Sequence, residues 1–572
     1  MAFSFLNDPV TGFLNKAMSN RFSIKKFTAM KDLWYKNAIV YSLDVETFMD
    51  SDGDGVGDFQ GLINRLDYLS GLGITCLWLL PFYPSPNRDN GYDVMDYYNI
   101  DPRLGTLGDF VEFMHQARER GIRVLIDLVV NHTSNQHPWF VAAKSDKNSK
   151  YRNYYVWSEN PPKTDPELLV FPDAEDSIWE YDEQANAYYL HHFYKEQPDL
   201  NISNPAVREE ICKIMGFWLE LGVSGFRIDA VPFLIKGIGI EGGDPESLRG
   251  FLEEMREFVS SRQGHAVLLA EANVDRDQIS IYFAKGDRMH ILFNFLLNQH
   301  LFLALARQES TALRDGLKTL PDIPAICQWL NFVRHHDELT LDRITSSERE
   351  EIFAAFAPDE TMQIFGRWIR RRLPPMMGGD RRRIELGYSL LFTLPGTPML
   401  RYGEEIGMGD DLSLEGRDSV RTVMQWSDAP NGGFSTAATD ALARPAIAHG
   451  EYGYKQVNVA AAQRDAGSLI NWMDRAIRIR KQCPELGMGK WHILETDSPS
   501  VLAHCCDWEG RRVIAVHNLA DKPCTATLKS NEYTPLFDLF GDRLYESIEA
   551  DSPSIPLEAY GYRWFRVNRT QG

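Results

Sequence analysis

At 572 residues the chain is too long for one ordinary core, so a large domain with smaller ones appended is the starting expectation. Its 44% hydrophobic and 24% charged residues are those of a folded globular protein, and 80 acidic against 60 basic side chains leave a formal net charge of −20, which argues against a nucleic-acid partner. Seven scattered cysteines without CxxC or Cys/His metal spacing fit a reducing compartment, and no stretch approaches the roughly 18 apolar residues of a membrane span, so a cytoplasmic protein with no membrane partner is expected.

From Met1 through Lys26 there is neither a long apolar core nor a small-residue cleavage site, and no secretory leader is expected. Eight short apolar runs then follow in order: Ala38–Val45, Ile74–Leu80, Val124–Val130, Gly225–Ala230, Val267–Ala272, Ile291–Phe295, Trp329–Val333 and Thr397–Tyr402. Amphipathic stretches lie between them, with helices predicted at Leu107–Arg120, Pro205–Leu221, Pro245–Ser261 and Phe295–Leu317. Alternating strand and helix predicts an α/β protein, a (β/α)8 TIM barrel. The run Arg381-Arg382-Arg383, beside Asp380 and Glu385, reads as a salt-bridged helix face rather than a binding patch.

After the first strand, Asp50, Asp52, Asp54, Val56 and Asp58 stand at alternate positions with Gly55 sixth, which is calcium-loop spacing. Position twelve is Gly61 instead of Glu, so an EF-hand switch is not expected; a solvated acidic turn is the alternative. Asp127 and Asp229 are about 100 positions apart, where one βα unit of a barrel of about 250 residues takes roughly 30 to 40. A subdomain is therefore inserted after strand 3, rich in Tyr, Trp, Asn and Pro; its Trp157, Tyr188, Tyr189 and Phe193 either stack on ligand or form its own small core. After a helix-like Asn471–Gln482, short alternating strands (Val501–Cys505, Arg512–His517, Thr525–Leu528, Gly561–Val567) predict a C-terminal β-sandwich. The expected domains are 1–131 with 202–485 (barrel), 132–201 (insert) and 486–572 (sandwich).

In such a barrel the site lies where the strands end. Three strands end in acids: Arg227-Ile228-Asp229, Ala270-Glu271-Ala272 and His335-His336-Asp337. Residues two apart in a strand share a face, so Arg227 and Asp229 point the same way. Crowded carboxylates raise one another's pKa, and glycoside cleavage needs that asymmetry, with one acid ionised to attack the anomeric carbon and one protonated for the leaving oxygen. Asp229 fits the first role and Glu271 the second; a gap of about 5 to 5.5 Å between them would select retention of configuration.

The segments Asp127–His132, Gly225–Asp229, Ala270–Ala272 and His336-Asp337 resemble, in order, the motifs of the α-amylase superfamily, glycoside hydrolase family 13. Gln197-Pro198-Asp199-Leu200-Asn201 resembles the variant of its oligo-1,6-glucosidases and trehalose synthases, and Trp78–Pro86, Asp229–Pro232 and Gly403–Asp411 look most like trehalose synthases. The resemblance implies that Asp337 stabilises the transition state, that His132, Arg227 and His336 hold the glucosyl ring, and that Asp89, Tyr92 and Arg421 cap its non-reducing end. It also implies a structural Ca2+ in the acidic loop and no organic cofactor. A small α-glucoside such as maltose is the implied substrate, and a homo-oligomer is the one protein assembly left open.

Three positions depart from the trehalose-synthase pattern: Gly237–Asp244 replaces an Asn- and Glu-rich loop, His335 stands where Asn is usual, and Val423 where Pro is usual. All touch the acceptor side. The expectation is a trehalose-synthase-like maltose glucosyltransferase or isomerase; the rivals are an α-glucosidase on short α-glucosides and an inactive sugar-binding homologue.

Overall fold

The computed structural model describes residues 32–567 apart from 161, 164–167, 172–173, 237–244, 530–534, 547 and 549–553, so the predicted Gly237–Asp244 difference and the Met1–Lys26 segment lie outside the described residues. Eight parallel strands close a barrel in sequential order: β1 (Val40–Leu43), β2 (Cys76–Leu79), β3 (Arg123–Leu128), β4 (Gly225–Ile228), β5 (Val267–Ala270), β6 (Ile291–Phe293), β7 (Gln328–Phe332) and β8 (Thr397–Arg401). The ring closes where Val40 of β1 pairs with Met399 of β8. Each predicted run contains its stave to within a residue or two at the ends, because strands buried on both faces read as continuous apolar runs. At Gly225 the backbone has φ +143°, and a Cβ would meet Val267 O at 2.1 Å, so this stave can start only with glycine.

The crossover helices follow from local chemistry. Leu107–Glu119 starts in a Thr106/Asp109 capping box and buries Phe110, Phe113, Met114 and Ala117, a three- and four-residue spacing. Pro205–Glu220 starts with Asn204 as N-cap and proline in its first turn, and buries Val207, Ile211, Ile214 and Trp218 on the same spacing. The single helix predicted over Phe295–Leu317 is instead two, Phe295–Arg307 and Thr311–Thr319. Gln308 turns left-handed (φ 56°) and Ser310 donates from both its N–H and its hydroxyl to Pro499 O at 2.9 Å, a contact nearly two hundred positions away that apolar spacing does not reveal. Arg381–Thr393 is a helix, with Arg381 on Glu385 and Arg382 on Asp380.

Residues 132–201 leave and rejoin the barrel side by side: His132 bridges Asp199, and Asn131 Nδ2 donates to Asp199 Oδ1 at 3.1 Å. The insert carries the helix Pro138–Ser145 and a three-stranded sheet of Trp157–Ser158, Ala187–Leu190 and Trp179–Asp182. Trp157 and Tyr189 pack on Phe140, with ring centroids 5.6 and 5.1 Å away, and so are core residues of the insert, whereas Tyr188 is half-buried on the exposed Tyr181 and belongs to no core. Phe193 does not join them; it faces His132 and Phe233 at the barrel mouth.

The helix Leu469–Lys481 joins the barrel to a five-stranded antiparallel sheet of β9 (Lys490–Leu494), β10 (Val501–Trp508), β11 (Arg511–Asn518), β12 (Leu536–Gly541) and β13 (Tyr562–Val567), ordered 9-10-11-13-12. A second sheet of Cys524–Thr527 and Ser554–Leu557 contributes to the same apolar cluster through Ala526, Ile555 and Leu557. No helix among the described residues is long and apolar enough to cross a membrane.

Candidate active site

The carboxyl ends of the staves open into a cavity of about 350 Å3 whose walls include Asp89, Tyr92, His132, Asp229, Glu271 and Asp337. Arg227, one residue from the end of β4 and only 1% exposed, stands at its base. Its Nη1 lies 2.5 Å from both Asp127 Oδ1 and Asp229 Oδ1, and its Nη2 lies 2.5 Å from Glu271 Oε2. One planar guanidinium thus spans the gap between the two strand-end acids and fixes them as close neighbours. Directly after Asp229 the chain turns at Ala230, which holds φ 49°, a conformation side chains seldom adopt, before the helix Val231–Lys236 begins.

The electrostatics separate the acids. Burial pushes Glu271 up to about 8; Arg227 opposes this, but Asp229, Asp337 and Asp127 add to it. Burial also tends to raise Asp337, yet His336, Arg417 and Arg421 together outweigh it and hold its carboxyl well below the usual range. Asp337 Oδ2 sits 3.0 Å from His336 Nε2, and Oδ1 2.6 Å from Arg421 Nη2 and 3.4 Å from Arg417 Nη1. Burial lowers His336 to about 4 against the pull of Asp337, so the imidazole is neutral near pH 7. Arg227 itself is raised, since Asp127, Glu271 and Asp229 overcome the cost of its burial.

Tyr92 links the parts: its hydroxyl is 2.9 Å from His336 Nε2 and 3.2 Å from Asp127 Oδ2, and its backbone carbonyl is 3.2 Å from His132 Nε2. Asp89, pushed up to about 6 by burial against Arg417 and Arg421, accepts from Gln197 Nε2 at 2.9 Å. The Gln197–Asn201 motif therefore acts at two points, Gln197 on Asp89 of the pocket wall and Asp199, its middle residue, on Asn131 and His192.

The nine sequence-predicted catalytic and substrate residues fall in one neighbourhood: Asp89, Tyr92, His132, Asp229, Glu271 and Asp337 line the cavity, Arg227 holds Asp229 and Glu271, and His336 and Arg421 reach it through Asp337. Sequence reasoning did not nominate Asp127, although it closes β3 just as Asp229 follows β4, and its carboxylate anchors Arg227, Trp78 and Tyr92. It also missed Arg417, in the 3-10 turn Gly416–Val420, which lines the cavity and pairs with Glu338 at 2.6 Å. The roof went unseen too. Leu168–Val170 of the insert meets Arg367 and Trp368 of the hairpin Gln363–Ile369; Arg367 Nη2 donates to Val170 O at 2.9 Å, and Phe171 stacks on Phe365 with centroids 5.3 Å apart.

In the acidic loop, carboxylate oxygens of Asp50, Asp52 and Asp58 lie within 4.8 Å of one another, whereas Asp54 turns its carboxylate to the Val56 N–H at 2.8 Å. Backbone N–H groups of Asp52, Gly53 and Gly55 hold Asp50, and Ser51 and Gly61 hold Asp58. Desolvation raises Asp52, and the charges of Asp54, Asp50 and Asp58 add to it.

Comparison with known proteins gives a consistent set of likenesses. Residues 43–489 match the family described as alpha amylase, catalytic domain, and residues 510–566 match a sucrose hydrolase-like C-terminal domain. The chain is 42% identical to a trehalose synthase of Thermus thermophilus over 94% of its own length, but spans only 54% of that protein. It is 40% identical to the trehalose synthase/amylase TreS of Mycobacterium tuberculosis, with 93% of this chain and 90% of that one covered. Among solved structures, an α-amylase from H. orenii superposes with a TM-score of 0.77 at 28% identity, covering 93% of this chain and all of that one.

Proposed function

This chain belongs to the α-amylase family, and we propose on that premise that it is a retaining enzyme that moves α-glucosyl groups between small acceptors, with maltose-to-trehalose isomerisation its leading reaction. The observation that carries the reading is the pair Asp229 and Glu271 bridged by Arg227 at the floor of a small roofed pocket. A pocket at the small end of the roughly 300 to 1,000 Å3 range of small-molecule sites suits a terminal glucose better than a polymer.

Asp229 attacks C1 of the glucosyl ring while Glu271 gives its proton to the glycosidic oxygen, and the aglycone leaves as an alcohol. Glu271, now a carboxylate, takes a proton from the incoming hydroxyl as that oxygen attacks C1 and frees Asp229. Asp337 faces the positive charge that grows on the ring between these states. His132, His336 and Arg227 hold the ring, and Asp89, Tyr92 and Arg421 close off its non-reducing end. The roof joined through Arg367 and Val170 limits water at C1, which favours transfer over hydrolysis.

Incubation with maltose checks this directly. Trehalose should form in excess over free glucose; glucose alone would leave the α-glucosidase reading and remove isomerisation. Three converging carboxylates with no ion pair among the described residues fit a structural Ca2+ at Asp50, Asp52 and Asp58. A chelator should then lower the melting temperature, by a loss of about 2.7 kcal/mol if the ion is normally present at 100 times its dissociation constant, and added Ca2+ should restore it. An unchanged melting curve would leave the loop an acidic turn. We read the protein as cytoplasmic, a setting in which its seven scattered cysteines stay reduced.

A further inference from the structure

Three buried arginines from separate parts of the chain hold three consecutive backbone carbonyls. Arg401 Nη1, at the end of β8, donates to His335 O at 3.0 Å; Arg421 Nε donates to His336 O at 3.0 Å; Arg334 Nη2 donates to Asp337 O at 2.6 Å. Arg421 also pairs with the Asp337 carboxylate, but among the described residues neither Arg334, 1% exposed, nor Arg401, 2% exposed, makes an ion pair. Arg334 Nε donates to Arg371 O at 2.7 Å, while Arg334 Nη1 and Arg401 Nε have no hydrogen-bond partner among the described residues.

Burying a guanidinium with no carboxylate in direct contact is expensive, and although the charges of Glu338, Glu404 and Asp337 favour the Arg334 cation, burial still outweighs them; an apolar side chain of similar volume would support the fold at least as well. What an apolar residue could not do is grip a carbonyl. With its three carbonyls held, the segment turns the Asp337 N–H onto His335 Nδ1 at 3.1 Å and leaves the Asp337 carboxylate in the pocket wall.

We infer that Arg401 and Arg334 are positioning residues for the glucosyl transfer: with Arg421 they lock the peptide planes of residues 335–337 so that the Asp337 carboxylate faces C1. The inference rests on the function proposed above, in which Asp337 meets the charged transition state. A displacement of about 1 Å in such a group can cost about 100-fold in rate.

The test compares Arg401→Met, Arg401→Lys and Arg334→Met with the unaltered protein on an aryl α-glucoside, which reads glucosyl-enzyme chemistry whatever the acceptor. Arg401→Met and Arg334→Met should lower kcat per titrated active site by about 100-fold with KM changed less than about threefold, and Arg401→Lys should recover part of the rate. Affinity for a cationic iminosugar should fall by the same factor as kcat/KM, while affinity for neutral glucose holds. Variants that lose melting temperature but keep the kcat per active site and the iminosugar affinity would reduce these arginines to a structural role. If Arg401→Met does not fold, an Arg401→Lys protein with unaltered rate and iminosugar affinity overturns the inference equally. An unaltered protein inactive on every α-glucoside would instead overturn the proposed function.

Discussion

Replacing Asp229 with alanine should lower turnover by roughly 10⁴- to 10⁶-fold, the scale on which removal of an attacking residue acts. The side chain lines the pocket with Oδ1 on Arg227, whereas Asp127, which shares the same Arg227 nitrogen, is fully buried and does not line the cavity, so it cannot take over the attack. KM should change far less, because His132 and His336, proposed to hold the ring, are kept in place through Tyr92 and not through Asp229. Steady-state kinetics on maltose and on an aryl α-glucoside check this. A loss below tenfold would assign the attack elsewhere.

Glu271→Gln should cost about 10² to 10⁴ on maltose, the usual contribution of general acid–base catalysis, and much less on an aryl glucoside whose leaving group needs no proton. The pH profile carries the sign of the argument. Glu271 is raised to about 8 by burial and by Asp229 and Asp337, so its required acid form is present at neutral pH and is lost as pH rises through about 8. Activity on maltose should therefore fall on the alkaline side with a midpoint near 8, and the Gln variant should lack that limb. An alkaline limb that survives in Glu271→Gln would belong to another group.

Much of this was legible in the sequence because the information is local. A run such as Val267–Ala270 followed by Glu271 states a stave and the acid that closes it, and the two-residue alternation places Arg227 and Asp229 on one face, where they meet at 2.5 Å. The remainder depends on contacts between distant segments. The break after Arg307 is set by Pro499, the pocket roof by Val170 meeting Arg367, and the clamp on residues 335–337 by Arg401 and Arg421; none leaves a periodic trace. Arg417 lies in a short 3-10 turn with no pattern to distinguish it from a solvated surface arginine, yet it is half-buried and pairs with Glu338 and Asp337. Phe193 could not be told from Trp157 or Tyr189 by residue type, since all three sit in one aromatic-rich insert and only the packing separates wall from core.

The most direct measurement is to trap the intermediate with a fluorinated α-glucosyl fluoride, which reacts with the enzyme faster than its adduct turns over, and to locate the added mass by peptide mass spectrometry. One fluoroglucosyl group per chain on the peptide carrying Asp229 is the predicted result. A label on another residue, or no label from an enzyme whose products emerge with inverted configuration at C1, would contradict the account.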